Sequence, residues 1–267
     1  MASPTVPASA PTLRQVTLSS SLLFLAAAVG WVGVVQVAPE MRGMPGTMGL
    51  SFGGFVLVWG LMMAAMMLPT VAPFAALWTR TLTGNRSARV AELAAGYLLV
   101  WTLAGLPAYV LVRVGGDLAA HRPNAARVVA VVALAAAGAY QLTPLKERCL
   151  ARCRSPLGYL FKYGGYRGRL RELRVGLDHG AICLGCCWAL MVVLIVVGLM
   201  NPVAMLVLTA VVLVEKTWTW GQRFSRVVGV LALGLALAVA FRPALAAGLY
   251  EAPDLGGAPM MGAPAVR

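Results

Sequence analysis

Apolar runs of the length needed to cross a bilayer dominate this chain. Six of them lie near residues 16–37, 52–78, 90–114, 127–142, 181–200 and 227–249. A helix of about 20 apolar residues spans the hydrocarbon core, and within it every backbone polar group has to be satisfied internally. The runs therefore predict an all-α, polytopic bundle of transmembrane helices. Charged residues make up only 12% of the sequence, about half the share in soluble domains, which argues against a soluble fold.

A seventh apolar run, at residues 203–214, is short by itself. It reaches spanning length only if it continues through Glu215 and Lys216 to Trp220. The sequence therefore predicts about seven spans, or six if residues 203–220 do not cross the membrane.

The distribution of Lys and Arg predicts the orientation of the bundle, because short loops rich in these residues stay in the cytoplasm. Arg14 and three basic segments, at residues 80–89, 146–174 and 216–226, alternate onto one side of the predicted spans. The amino terminus is therefore expected inside and, with seven spans, the carboxyl terminus outside.

Residues 16–250 are expected to form a single transmembrane domain. The two ends, residues 1–15 and 251–267, are rich in Pro, Ala and Gly and are predicted to be disordered. Residues 143–178 are predicted to be a basic cytoplasmic loop with an amphipathic segment, in which Phe161 and Tyr163 lie in the membrane interface and Arg side chains face anionic lipid headgroups. The net charge of +13 reflects this topology. Nucleic acid is not an expected partner, because no groove-reading module accompanies the charge.

Cysteine and histidine are concentrated near the start of the run at residues 181–200. His179, Cys183, Cys186 and Cys187 fall within nine positions, and on a helix they share a stripe about 100° wide. A reducing cytosol disfavours structural disulfides and favours metal binding or redox chemistry. The predicted metal ligands are His179, Cys183, Cys186 and Cys187, with Cys149 and Cys153 as a cytosolic cap. The alternative is that each Cys packs as a small apolar residue.

A depth estimate extends this site into the bilayer. The Asn201-Pro202 turn predicts an antiparallel hairpin, in which Cys187 and Glu215 both lie about 20 Å below the turn at 1.5 Å per residue. Further ligands predicted in this layer are Met66 and Met67, and the supporting polar residues are Tyr140, Lys146, Glu215 and Lys216. Ionisable residues inside the membrane are functional candidates because burying them is costly. The alternative is that Lys216 reaches the interface and Glu215 caps a neighbouring loop.

Methionines on the predicted outer side bear on the choice of metal. The predicted outer relay consists of Met41, Met44, Met48, Met200 and Met205, and Met260 and Met261 lie in the outer tail. Thioethers bind Cu(I) without losing a proton and suit the outside, whereas thiolates suit the inside. Cu(I) is therefore favoured over Zn(II). The alternative is ordinary packing of methionine in membrane helices.

Four motifs resemble the bacterial domain-of-unknown-function family described as predicted metal-binding integral membrane proteins. They are Trp-x3-Met-x-Ala-Met-Met-x-Pro at residues 59–69, Tyr-x-Leu-Thr-Pro-Leu-Lys-x2-Cys-Leu-x2-Cys-Arg-x-Pro at residues 140–156, Gly-x2-Cys-x-Gly-Cys-Cys-Trp at residues 180–188, and the dipeptide at residues 215–216. The resemblance covers roughly residues 52–221. It implies a polytopic bundle in which the Cys residues, His179 and the Glu215-Lys216 dipeptide form the metal site. It implies no particular activity.

Together these features predict a multi-pass protein of the bacterial inner membrane that binds Cu(I) for transport, delivery or sensing. A metal chaperone or a membrane subunit is the expected partner, and no catalytic residues are predicted. One alternative is a membrane thiol-disulfide oxidoreductase that uses Cys186 with Cys187, or Cys149 with Cys153. Another is a non-catalytic accessory subunit that packs the small-residue faces at residues 94–96 and 133–138 against a partner.

Overall fold

The computed structural model describes residues 13–41, 46–82 and 85–249, and every regular element within these ranges is a helix. The α-helices are α1 (Leu13–Met41), α2 (Phe52–Thr79), α3 (Arg86–Leu103), α4 (Gly105–His121), α5 (Pro123–Gln141), α6 (Pro144–Cys153), α7 (Pro156–Gly164), α8 (Arg171–Val197), α9 (Pro202–Thr217) and α10 (Gly221–Phe241). Met44, Met260 and Met261 lie outside the described residues, as do most of the ends predicted to be disordered.

Within the described residues, six helical segments are long and apolar enough to cross a membrane. They are α1, α2, α5, α8, α10 and the continuous stretch of α3 and α4. The prediction of an all-α polytopic bundle is therefore confirmed. The run at residues 203–220 folds as α9, whose 16 residues give a length of about 24 Å, less than the roughly 30 Å of a hydrocarbon core.

Contacts between helix ends bring the predicted basic segments together. The Arg89 guanidinium lies 3.1 Å from the Glu172 carboxylate, joining the starts of α3 and α8. The guanidinium of Arg226, near the start of α10, pairs at 2.6 Å with Glu147 of α6. Arg154, just after α6, donates hydrogen bonds to carbonyl oxygens at the end of α9. We call this end of the bundle, formed by α6, α7 and the adjoining helix ends, the basic end.

The helices around the α8–α9 turn run between the basic end and the opposite end. α8 stops at Val197, where Gly198 has a φ of 122°, a conformation that favours glycine. Asn201 then caps α9 by accepting hydrogen bonds from the N–H groups of Val203 and Ala204, both at 3.1 Å. The predicted antiparallel hairpin is thus present, and α9 carries the chain back to the basic end despite its short length.

The first helix starts at the basic end. Gly30 of α1 packs against Ala65 of α2, and Gly33 packs against Leu61. Because the residue number rises along α1 as it falls along α2, the two helices are antiparallel. The start of α1 and the three basic segments therefore lie at one end of the bundle, which is the arrangement that the charge pattern predicts.

The predicted amphipathic loop contains two short helices, α6 and α7, and the first residues of α8. Phe161 of α7 is 87% exposed. Tyr163 is fully buried against protein, with its ring at 6.3 Å and 6.0 Å from those of Phe74 and Trp78. One face of α7 therefore packs on the end of α2, and the face that carries Phe161 is free.

Candidate metal centre

Three thiols converge on the inner face of α8. Cys183, Cys186 and Cys187 are buried, and their Sγ atoms all lie within 4.8 Å of one another. Their spacing of three and four residues places them on one side of the helix. A metal held by thiolates at about 2.3 Å, the zinc–sulfur distance, needs sulfurs about 4 Å apart. The cluster therefore has the dimensions of a thiolate metal site.

Helix α6 supplies a fourth thiol. The Sγ atom of Cys153 lies 3.5 Å from that of Cys186. Cys149, one turn earlier, has its Sγ atom 3.6 Å from the position that a Cβ on Gly185 would take. The predicted cap is therefore adjacent to α8, with Cys153 in contact with the thiol cluster and Cys149 beside it. We call Cys153, Cys183, Cys186 and Cys187 the thiol cluster.

Close packing of α3 on α8 brings a tyrosine to the thiol cluster. A methyl group on Gly176 would come within 2.1 Å of the Leu93 carbonyl oxygen, and one on Gly96 would meet the backbone of α8. This approach puts the Tyr97 hydroxyl 3.0 Å from the Cys183 sulfur. Sequence reasoning missed Tyr97. The signal that could have found it is Gly176-x3-Gly180, the small-residue spacing of closely packed membrane helices.

An ammonium group lies against the same sulfur. Lys216 Nζ is 2.9 Å from Cys183 Sγ and donates a 3.0 Å hydrogen bond to the Thr70 hydroxyl of α2. Lys216 therefore points toward the thiol cluster. Its positive charge favours a thiolate, or a metal–thiolate complex with negative charge, at this position.

The adjacent Glu215 belongs to a second, fully buried network. Its carboxylate lies 2.7 Å from Lys146 Nζ of α6 and accepts a 3.2 Å hydrogen bond from the Gln141 side chain. Lys146 also donates a hydrogen bond of 2.6 Å to the Cys186 carbonyl oxygen. Glu215 and Lys216 are thus partners of different helices and not of each other.

The remaining predicted residues lie around these two groups. His179 is buried with its ring stacked on Phe74 at 4.4 Å, one turn before Cys183. The Tyr140 hydroxyl donates to the Gly185 carbonyl oxygen. The methionines that the structure describes belong to, or pack on, the same hydrophobic cluster as Cys183, Cys186 and Cys187. They are Met41, Met48, Met62, Met63, Met66, Met67, Met191, Met200 and Met205.

A cavity of about 290 Å³ lies beside the thiol cluster near the basic end. Cys153, His179, Arg154 and Lys216 contribute to its wall, together with residues of α2 and α9. Of the thiol cluster, Cys153 is the half-buried member and the one that lines the cavity. The cavity is therefore an access route to an otherwise buried site.

Comparison with protein families gives one match. Residues 56–239 match the family described as PpoB2, copper chaperone. The chain belongs to this family. Neither a curated protein nor a solved structure matches it.

The match to the PpoB2 copper-chaperone family includes every predicted ligand and supporting polar residue of the membrane layer, from Met66 to Lys216. The predicted outer methionines at positions 41, 44 and 48 precede the matched range. The resemblance to metal-binding integral membrane proteins is therefore confirmed, with copper as the metal in the family description. The family description and the three-thiol cluster together indicate that this chain binds a transition metal, namely copper.

Proposed function

We propose that this chain binds Cu(I) on the thiol cluster and passes it to a partner, as a copper chaperone embedded in a bacterial inner membrane. The observation that carries the proposal is the convergence of three thiols within 4.8 Å on α8. Cu(I) is the copper oxidation state that soft thiolate and thioether ligands select. In this proposal, Cys149 and His179 border the site, and Cys153 completes the ligand set from α6.

The polar neighbours serve the metal through charge and position. A Cu(I) ion bound by three thiolates carries a net charge of −2, and the ammonium group at Lys216 offsets part of it. Lys146 and Glu215 hold α6 against α8 and α9, so that Cys153 stays in reach of Cys186. Tyr140 and its contact with Gly185 steady the same turn of α8.

Delivery toward the opposite end of the bundle uses the methionines in this proposal. Met66 and Met67 are fully buried members of the hydrophobic cluster that also contains Cys183, Cys186 and Cys187. Met200 and Met205 flank the α8–α9 turn at the other end and belong to the same cluster. Thioethers bind Cu(I) weakly enough to exchange it and need no deprotonation, which suits a path between the thiols and the opposite side.

Anaerobic equilibrium dialysis with metal analysis tests the binding step. We expect stoichiometric Cu(I) on the purified protein, and a large loss of bound copper in Cys183→Ser and Cys187→Ser. Cys149→Ser is the matched control, because its sulfur lies outside the three-thiol group, and it should keep its copper. Unchanged copper content in Cys183→Ser and Cys187→Ser would overturn the proposal.

A thiol oxidoreductase remains a second candidate because two sulfur pairs are close. Cys186 Sγ lies 3.2 Å from Cys187 Sγ and 3.5 Å from Cys153 Sγ. Thiol labelling after mild oxidation without metal discriminates: paired protection of two cysteines favours it, and uniform labelling favours the copper proposal. The accessory-subunit alternative loses its main support, since Gly96 and Gly138 of the small-residue faces pack internally on α8 and α10.

A further inference from the structure

The cavity beside the thiol cluster has a distinctive charge. Its lining includes two cationic side chains, Lys216 and Arg154, and no carboxylate among the described residues. The nearby carboxylate of Glu215 is turned away from the cavity, toward Lys146 and Gln141. A ligand that enters this cavity therefore meets a positive wall, which favours an anion.

The cavity also limits the size of what can enter. Its volume of about 290 Å³ is just below the roughly 300–1,000 Å³ typical of small-molecule sites. It cannot admit a folded protein domain, although it can admit a molecule of peptide fragment size. The size and the charge of the cavity together favour a small anionic ligand.

Cys153 is the thiol that such a ligand reaches first. Cys153 lines the cavity, whereas Cys183, Cys186 and Cys187 are at most 1% exposed. Because the Sγ atom of Cys153 lies 3.5 Å from that of Cys186, an ion bound at Cys153 has a second thiol within reach. Cys153 is thus placed between the cavity and the buried thiols.

We propose that the cavity receives Cu(I) as an anionic complex with a small carboxylate-bearing thiol, and that Cys153 is the acceptor. This inference rests on the proposed copper function and names the form in which the ion arrives. Arg154 and Lys216 bind the carboxylates of the donor, and the donor's thiolate presents the copper to Cys153.

The transfer is a ligand exchange without change of oxidation state. The bond from copper to Cys153 Sγ forms as the bond from copper to the donor sulfur breaks. The Cys153 proton passes to the departing donor, which leaves as a neutral thiol group, and copper remains Cu(I). A second exchange of the same kind moves the ion to Cys186 and into the buried cluster.

Loading rates from donors of different charge test the inference. The protein is mixed anaerobically with Cu(I) complexes of glutathione, which is anionic, or of N-acetylcysteamine, which is neutral, and loading is followed by the ultraviolet absorption of Cu(I)–thiolate bonds. We expect loading from glutathione to be about tenfold faster, within the range for electrostatic steering into a charged cleft. Equal rates from the two donors would overturn the inference.

Variants show whether the cavity causes the selectivity. Arg154→Gln should remove most of the preference for the anionic donor, and Arg154→Lys should retain it, which separates charge from the helix-end hydrogen bonds of Arg154. Arg169→Gln is the matched control, because this exposed arginine lies near the start of α8 and does not line the cavity. A preference that survives in Arg154→Gln, or that is lost equally in Arg169→Gln, would contradict the inference.

Two further measurements separate this inference from the function on which it rests. Cys153→Ser should slow loading from both thiol donors by at least about tenfold, because the first acceptor is lost. Unchanged rates would exclude Cys153 as the acceptor. Cu(I) offered as its acetonitrile complex needs no anionic carrier. Failure of the unmodified protein to bind copper from acetonitrile would overturn the proposed function, whereas binding without donor selectivity would overturn only the inference.

Discussion

At the scale of single residues, Cys183 is the thiol that is in contact with both a lysine and a tyrosine from other helices. Its sulfur lies 2.9 Å from Lys216 Nζ and 3.0 Å from the Tyr97 hydroxyl, and all three groups come from different helices. Such outer partners orient a metal ligand and tune the charge around it. The affinity of the site should therefore depend on side chains that do not themselves bind the metal.

Lys216→Met tests this dependence. The change removes the ammonium group but keeps an unbranched side chain, so the negative charge of a copper–thiolate complex loses its nearest counterion. We expect the Cu(I) affinity to fall by about 10- to 100-fold, the usual effect of losing an outer-shell partner, measured by competition with a chromogenic Cu(I) chelator.

Two matched variants accompany this measurement. Lys216→Arg keeps the charge and should retain most of the affinity. Lys162→Met removes a lysine that pairs with Asp178 at the basic end and should leave the affinity unchanged. If Lys216→Met binds copper as tightly as the unmodified protein, Lys216 has no part in tuning the site.

The spacing of residues along the sequence predicts one face of the site but not its partners. Cys183, Cys186 and Cys187 could be placed together because they belong to one helix with fixed geometry. Glu215 and Lys216 could not be assigned, because adjacent side chains on a helix diverge by about 100°. One of them meets Lys146 and the other meets Cys183, a choice that depends on how α6, α8 and α9 pack.

At the scale of helices, α6 is held against the bundle by a fully buried ion pair. Removing one partner of a buried pair leaves the other charge without compensation and costs about 3–5 kcal/mol. Lys146→Met or Glu215→Leu alone should therefore lower the free energy of unfolding by about that amount. The double variant should recover much of the loss, because neither charge remains. Denaturant titration in detergent micelles measures these differences.

An exposed pair between α6 and α10 provides the control. Arg226 and Glu147 are 60% and 32% exposed at the side chain, and such pairs contribute about 0–1 kcal/mol. Arg226→Gln should therefore have little effect. A loss in Arg226→Gln as large as that in Lys146→Met, or a double variant as unstable as the sum of its single changes, would show that the buried pair does not hold α6.

The contact of α3 with α8 depends on glycine. Gly176→Ala would place a methyl group within 2.1 Å of the Leu93 carbonyl oxygen, so the helices have to separate and carry Tyr97 away from Cys183. We expect a loss of about 1–3 kcal/mol in the free energy of unfolding, the usual cost of overpacking, together with weaker copper binding. Gly234→Ala in α10 meets no atom within 4 Å and should be neutral or stabilising by up to about 1 kcal/mol. Equal stability of the two variants would refute the close-packing argument.

At the scale of the whole molecule, the sequence predicts the order of crossings better than their packing. The periods of apolar and basic residues are local, so the all-α bundle and the grouping of its basic segments follow from the chain alone. Which helices become neighbours depends on shape. The pairing of α3 with α8 through Gly96 and Gly176 carries no signal in hydropathy, and it is what brings Tyr97 to the site.

The two ends of the bundle give opposite predictions for access from each side of the membrane. The positive-inside rule assigns the basic end to the cytoplasm, so a thiol-donated Cu(I) ion would arrive from there. In a variant without native cysteines, Arg167→Cys near the start of α8 should react with a membrane-impermeant maleimide only in inside-out vesicles. Asn124→Cys at the start of α5 should react only in intact spheroplasts. Labelling of Arg167→Cys in spheroplasts would reverse the orientation and require the copper donor to be on the outer side. Labelling of both positions from the same side would show that α5 does not cross the membrane between the two ends.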